Sequence, residues 1–177
     1  MNTIEWTLEG NSSMLKLGAE CLVELITQCE THFYAFILTK PYAISCKYWG
    51  REMYTVTYKS NKIATLYHKK GNSTGNIDFN NKISVNYQYH PKKGLSIFFK
   101  NFTDDAIIYK RNTEDTKQAM SVRIGIEMTN LDMECLLLLI TLGKLLYDYF
   151  LQEEQAEDMY NTSSSFRGAN LKNYHLS

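Results

Sequence analysis

Hydrophobic and polar residues alternate through much of the chain before residue 129. In residues 82–89, for example, apolar and aromatic side chains fall on one face of an extended strand and polar ones on the other. Short polar linkers separate neighbouring stretches, which predicts hairpins. The pattern predicts strands at residues 3–8, 32–38, 53–58, 63–68, 75–79, 82–89, 95–99, 106–109 and 121–128. Such a meander of short antiparallel strands is typical of a sandwich or a barrel.

Residues 15–26 fit two patterns. Their apolar positions match the two-residue period of a strand and also the 3.6-residue period of a helix. Because strands are predicted on both sides, we interpret this segment as strand.

One helix is predicted near the end of the chain, over residues 131–155, with Asn130 as its N-cap and two acidic residues in its first turn. Residues 135–142 are apolar on every side of such a helix, which indicates burial all round. The apolar stretch is far shorter than the roughly 20 residues that span a bilayer. We therefore expect residues 131–152 to lie inside a protein core.

The 177 residues, 44% of them hydrophobic, suit one globular domain. We expect this domain to occupy residues 1–158, with the Ser- and Asn-rich residues 159–177 as a mobile tail. Residues 1–10 contain two glutamates and no basic residue, unlike a signal peptide. The expected location is cytoplasmic, or peripheral at a membrane.

Hairpins followed by a helix that is apolar on all sides resemble the tubby C-terminal-like fold of tubby domains, phospholipid scramblases and LURP-one-related proteins. The resemblance is carried by Val122 to Phe150: an alternating strand, Asn-Leu-Asp at 130–132, and an apolar helix with Asp148 late in it. It covers about residues 30–152. It implies an antiparallel β-barrel of hairpins enclosing the hydrophobic C-terminal helix, and binding to anionic phospholipid. No phosphoinositide-contacting residue of tubby domains matches a position in this chain.

Sequence motifs for catalysis are absent: there is no phosphate-binding loop, dinucleotide fingerprint, zinc-protease motif or nucleophile elbow. Cys29 and His32 form a C-x-x-H pair, which is half of a metal site without a second half. Cys46 is interpreted as a buried small hydrophobe, and the glycines of residues 71–75 as a flexible connection. Adjacent carboxylate pairs suit solvated turns. We therefore expect a non-enzymatic protein with no metal and no cofactor.

The net charge of the whole chain is zero, with nineteen basic and nineteen acidic residues, but these residues are unevenly distributed along the sequence. Residues 1–39 have one lysine against five glutamates, a net charge of −4. Residues 40–123 have fifteen basic against six acidic residues, a net charge of +9. Residues 124–177 have three basic against eight acidic residues, a net charge of −5. The zero total argues against nucleic-acid binding, but the basic middle of the chain allows an anionic ligand.

Many basic residues fall at predicted hairpin ends. If several hairpins share one end of a barrel, these residues form a basic rim for anionic headgroups. The alternative is that the lysines only solubilise turns and protect strand edges. The candidate ligand-binding residues are Lys59, Lys62, Lys69, Lys70, Lys92, Lys93, Lys110 and Arg111.

Two functional hypotheses follow. The first is a binding module that associates with anionic phospholipid or a membrane surface through the basic hairpin loops. The second is a protein-interaction module, such as an inhibitor or immunity-type protein, that binds a partner through a tyrosine-rich β surface.

Overall fold

The computed structural model describes residues 3–47, 52–99, 107–111, 120–125 and 127–170. The predicted linker at residues 101–105 lies outside this part of the chain.

Twelve antiparallel strands form one closed barrel, in which each strand pairs with its neighbours in sequence. The barrel closes where β1 pairs with β12, which places Ile4 opposite Val122 and Trp6 opposite Met120. The predicted antiparallel β-barrel of hairpins is confirmed. The strands are β1 Thr3–Glu9, β2 Ser12–Leu17, β3 Glu20–Cys29, β4 His32–Ile37, β5 Lys40–Cys46, β6 Glu52–Tyr58, β7 Asn61–His68, β8 Thr74–Phe79, β9 Ser84–His90, β10 Gly94–Phe98, β11 Ile107–Arg111 and β12 Met120–Ile124.

Two stretches of sequence needed the structure for a clear assignment. The ambiguous residues 15–26 are strand, as interpreted, except that Gly18 and Ala19 form a turn between β2 and β3. Strand β5 was not predicted, and it contains Pro41, which lacks the amide hydrogen that a ladder uses. Pro41 nevertheless lies within the strand, opposite Phe36 of β4.

The two ends of the barrel differ, and we name them by the helix. Because consecutive strands are antiparallel, their connections alternate between the ends. At the lower end, β12 finishes at Ile124 and the helix α1 then begins. At the upper end, where the odd-numbered strands finish, α1 leaves the barrel.

Helix α1 spans Met133–Asn170 and follows a 3₁₀ helix at Glu127–Asn130. Its N-cap is Asp132, whose Oδ1 accepts a hydrogen bond from the backbone N–H of Cys135 at 2.9 Å. The prediction of Asn130 as the cap was therefore wrong, because a 3₁₀ turn takes up that residue. For the same reason the strand predicted to reach residue 128 ends at Ile124.

The first half of α1 is enclosed by the barrel. Residues 135–142 are each at most 7% exposed, so the predicted all-round burial is confirmed. The buried Tyr109 of β11 donates its hydroxyl hydrogen toward the carbonyl oxygens of Leu139 and Ile140, at 3.4 and 3.0 Å. A Cβ atom on Gly143 would lie 2.2 Å from that hydroxyl oxygen. The barrel wall therefore approaches the helix this closely only because residue 143 is glycine.

The start of α1 is also fixed to the sheet by charge. Glu134, in the first turn, accepts hydrogen bonds from Lys40 and Tyr42 of β5. These bonds, Lys40 first, lower the pKa of the Glu134 carboxyl. A carboxylate is also favoured at a helix N-terminus by the helix dipole. The missed strand β5 thus anchors the helix.

The far part of α1 extends beyond the barrel. It continues to Asn170, so residues 159–170 of the predicted tail are helical, and residues 171–177 lie outside the described residues. Within the described part of the chain, no helix is both long and apolar enough to cross a membrane.

Candidate functional site

Basic residues gather at the upper end of the barrel. Lys69 and Lys70 lie in the β7–β8 connection, and Lys92 and Lys93 in the β9–β10 connection. The exposed Lys110 is followed by Arg111, which ends β11 at the same end of the barrel. We call this set the basic rim: Lys69, Lys70, Lys92, Lys93, Lys110 and Arg111.

The other two candidates lie at the lower end and are not part of the basic rim. Lys59 is in the β6–β7 turn, with its Nζ 5.3 Å from the centroid of the Tyr58 ring. Lys62 is the second residue of β7, next to that turn, and pairs with Glu52 at 3.4 Å. Successive connections of a meander fall at opposite ends, so the sequence already implied that the Lys59 and Lys69 loops are separated.

The loop lysines of the rim face solvent. Lys69, Lys70, Lys92 and Lys93 are exposed, and no described carboxylate lies within ion-pairing distance of them. Exposed ammonium groups on neighbouring loops of a rigid barrel present one positive surface.

Aromatic side chains fill the barrel interior beneath the rim. The ring of Tyr89 stacks on Phe150 of α1, with centroids 4.3 Å apart and planes inclined by 5°. His68 Nδ1 lies 2.8 Å from the Tyr87 hydroxyl oxygen, and the His68 ring contacts Tyr149 and Phe150 edge-on. Burial lowers the pKa of His68, because a charged imidazole loses its hydration there. On this side the helix packs against the wall through these ring contacts.

On the opposite side, near β1 to β4, two cavities separate the helix from the wall. Their volumes are about 450 and 350 Å³, and both are lined by Ser13, Thr27, Asp148 and Gln152. Ser13 lies opposite Leu25 on β3, and Thr27 lies opposite Phe33 on β4. The wall here carries small side chains, whereas Tyr87, Tyr89 and Tyr109 contact the helix on the other side.

Helix α1 contributes a polar stripe to the cavities. Lys144, Asp148 and Gln152 are spaced four residues apart and so lie on one face. Lys144 donates a hydrogen bond to Asp148 Oδ2, and the two side chains are 13% and 41% exposed. Sequence reasoning missed this site, although polar residues at helical spacing within an apolar helix were a visible signal.

The second, smaller cavity contains an unusual buried donor. Trp6 lines it together with Lys144, and Trp6 is only 2% exposed. Its indole N–H has no hydrogen-bond partner within the described residues. A buried donor without a partner costs about 1–3 kcal/mol, so an acceptor atom entering this cavity would be favoured.

A thiol lies at the edge of the first, larger cavity. Cys29 Sγ is 3.6 Å from both Thr31 Oγ1 and His32 Nδ1, and those two atoms are 2.9 Å apart. Hydrogen bonding, from Thr31 above all and also from His32, lowers the pKa of the Cys29 thiol to about 7. The two side chains of the C-x-x-H pair, Cys29 and His32, therefore contact each other. Within the described part of the chain, no group of three or more His, Cys, Asp or Glu side chains could hold a metal ion. Cys46 is buried in the core.

Comparison with known proteins gives no relative: no family model, no curated protein and no solved structure matches this chain. Its function has to be inferred from its own geometry.

Proposed function

We propose that this protein is a non-enzymatic, tubby-like binding module that associates with anionic phospholipid through the basic rim. The observation that carries the proposal is the placement of six of the eight candidate basic residues at one end of the barrel. The enclosed C-terminal helix agrees with the architecture that the resemblance implies.

The electrostatic energy of such a surface is sufficient for reversible binding. Each lysine near an anionic leaflet contributes about 1 kcal/mol, and the attraction falls off within a Debye length. Four exposed loop lysines would therefore contribute about 4 kcal/mol at moderate salt.

Acidic residues also leave the barrel at the upper end. Glu153 accepts a hydrogen bond from Tyr149 at 2.5 Å, and Glu154 is hydrogen-bonded to the interior Tyr89. Both carboxylates are thus held by residues of the barrel interior, inside the ring of loops. The loop lysines of the rim lie in the surrounding connections and are exposed.

Sedimentation with liposomes tests the proposal. Vesicles containing phosphatidylserine or a phosphoinositide should sediment the protein at low salt, less of it at physiological salt, and none with neutral lipid. The variant Lys69→Glu/Lys70→Glu should lose this binding. The matched control Lys59→Glu/Lys62→Glu carries the same change of charge at the lower end, and it should retain binding.

Two results would contradict the proposal. One is the absence of salt-sensitive sedimentation with anionic vesicles. The other is an equal loss of binding in the upper-end and lower-end variants, because this would show a response to net charge alone.

The protein-interaction hypothesis needs a different surface from the one that the sequence suggested. Among the tyrosines whose burial the structure describes, six are buried and cannot form an exposed tyrosine-rich face: Tyr42, Tyr54, Tyr87, Tyr89, Tyr109 and Tyr147. Tyr34 and Phe36 on the outer face of β4 are instead 43% and 39% exposed, and the adjoining Leu38 is 40% exposed. This apolar patch is the observation that favours a protein partner. Recovery of one stoichiometric partner that Tyr34→Ser/Phe36→Ser no longer binds would support this hypothesis over the lipid one.

A further inference from the structure

The outer face of strands β8 to β10 carries a trough that is separate from the two cavities inside the barrel. Its volume is about 600 Å³, in the range of small-molecule sites. On these three strands the odd-numbered side chains face the core, and the even-numbered ones face outward. We call this site the outer trough and define it by its outward side chains: Thr74, Asn76, Ser84, Asn86, Gln88 and Phe98.

The lining of the outer trough is polar but uncharged. Five of its six defining side chains are amides or hydroxyls, and the sixth is an aromatic ring. No lysine or arginine occupies an outward position on β8, β9 or β10. Phosphate and carboxylate groups bind proteins through basic side chains or helix N-termini, and none of these lines the trough. The trough therefore suits an uncharged ligand.

The strand register places the central residues of the trough in one row across the sheet. Asn76 of β8 lies opposite Tyr67 of β7 on one side and opposite Asn86 of β9 on the other. Asn86 in turn lies opposite Phe98 of β10. Neighbouring strands are about 4.8 Å apart, so two asparagines separate two half-buried aromatic residues in a row about 14 Å long. This length suits a ligand with more than one ring.

A second depression continues the outer trough toward β7. Its volume is about 480 Å³, and it shares residues 74–76 with the trough. It adds the ring of Tyr67 and the carboxyl group of Asp78. Asp78 Oδ1 accepts hydrogen bonds from Asn76 at 3.0 Å and from Ser84 at 2.6 Å. These bonds fix the polar groups that lie between the two depressions.

The remaining polar groups of the trough can still form hydrogen bonds. Within the described residues, the side chains of Thr74, Asn86 and Gln88 have no hydrogen-bond partner in the protein. Amides and hydroxyls both donate and accept hydrogen bonds, which matches the hydroxyl groups of a sugar. An apolar ligand would take these groups out of water without replacing their hydrogen bonds. A peptide strand cannot pair with β8, β9 or β10, because each already has a neighbour on both sides.

We infer that the outer trough binds an uncharged oligosaccharide. The sugar hydroxyls bond the amides of Asn76, Asn86 and Gln88, and a sugar ring packs its C–H face against Phe98. Tyr67 provides a second ring for the same purpose at the other end of the row.

A glycan array that contains neutral and acidic oligosaccharides tests the inference. Neutral glycans should retain the protein, and retention should persist at about 1 M salt, where charge interactions are screened within about 3 Å. The neutral oligosaccharide that is retained best is then titrated into the protein by isothermal titration calorimetry. Retention on acidic glycans alone, or on no glycan, would overturn the inference.

Variants locate the site within the protein. Asn86→Ala and Phe98→Leu should each weaken binding of that oligosaccharide by about tenfold, since one removes an amide and the other a stacking surface. The matched control is Asn61→Ala, which removes an exposed amide at the start of β7, at the lower end of the barrel, and should bind normally. Thermal melts followed by circular dichroism establish that each variant is folded. Unchanged affinity in both folded trough variants would place the binding elsewhere and overturn the inference.

The inference does not rest on the proposed lipid binding. Because Lys69 lines the second depression, the rim variant for this comparison is Lys92→Glu/Lys93→Glu. It should bind the oligosaccharide as the unaltered protein does, whereas Asn86→Ala should still sediment with anionic vesicles. Lipid binding and oligosaccharide binding can then fail independently. Loss of oligosaccharide binding in the rim variant, with normal binding in Asn86→Ala, would assign the binding to the basic rim and overturn the inference.

Discussion

At the scale of single residues, the contact between Tyr109 and Gly143 positions α1 in the barrel. The tyrosine hydroxyl reaches the helix backbone at 3.0 Å, where a side chain at residue 143 would block it. In an exposed helix, replacing glycine by alanine is favourable by about 1 kcal/mol. Here overpacking opposes this gain with about 1–3 kcal/mol.

We therefore expect Gly143→Ala to destabilise the protein by about 1 kcal/mol net, measured by urea denaturation. The control is the same substitution in a Tyr109→Leu background, where space is available and helix propensity should make it neutral or stabilising. Equal effects in both backgrounds would show that the contact does not constrain residue 143.

His68 makes stability depend on pH. Burial lowers the pKa of folded His68 below the value of about 6.5 that the unfolded chain has. Above pH 6.5 the residue is neutral in both states, and its contribution to stability is fully present. As the pH falls below 6.5 the unfolded state binds a proton first, so stability decreases until the folded pKa is passed.

The expected result is a larger loss of stability between pH 7.5 and pH 5 for the unaltered protein than for His68→Gln, followed by urea denaturation. The other titrating groups are present in both proteins and cancel in the difference. The groups that face His68 are the Tyr87 hydroxyl, the rings of Tyr149 and Phe150, and the carboxylate of Glu153, which partly offsets the effect of burial. Parallel pH profiles would contradict this assignment.

At the scale of elements, α1 is fixed at its start by an N-cap. Asp132 satisfies the Cys135 N–H, and replacing such a cap by alanine costs about 0.5–2 kcal/mol. We expect Asp132→Ala to lower the free energy of unfolding by about 1 kcal/mol, and Asp132→Asn or Asp132→Ser to retain most of it. Asn130→Ala is the matched control and should have little effect. The reverse order of these two alanine variants would show that the helix begins earlier.

The strands show how far local sequence determines an element. Alternation located most of them because it depends only on neighbouring residues facing opposite sides of a sheet. Strand β5 was not predicted, and the amide hydrogen that Pro41 lacks is tolerated at its position opposite Phe36. The acidic strands β1 to β4 and the basic strands β5 to β12 likewise correspond to separate blocks of sequence.

At the scale of the whole molecule, the pairing of β1 with β12 removes every free edge from the sheet. Proline at residue 5, in the middle of β1, would remove an amide hydrogen from a strand with neighbours on both sides. We expect Glu5→Pro to open the barrel and to produce concentration-dependent oligomers in size-exclusion chromatography with light scattering. Glu5→Gln should behave as the unaltered protein. A proline variant that elutes normally at all concentrations would show that closure does not depend on this strand.

The sequence by itself determined the class of fold, the all-round burial of residues 135–142 and the block pattern of charge. Each of these depends on local periodicity or on counting along the chain. Only the tertiary structure decided that the barrel closes. Barrel closure also created the cavities, because Ser13 and Thr27 come to face Asp148, more than a hundred residues away in sequence. Local patterns contain no information on the gap that two small side chains leave between a strand wall and a helix, since that gap depends on where the rest of the barrel holds the helix.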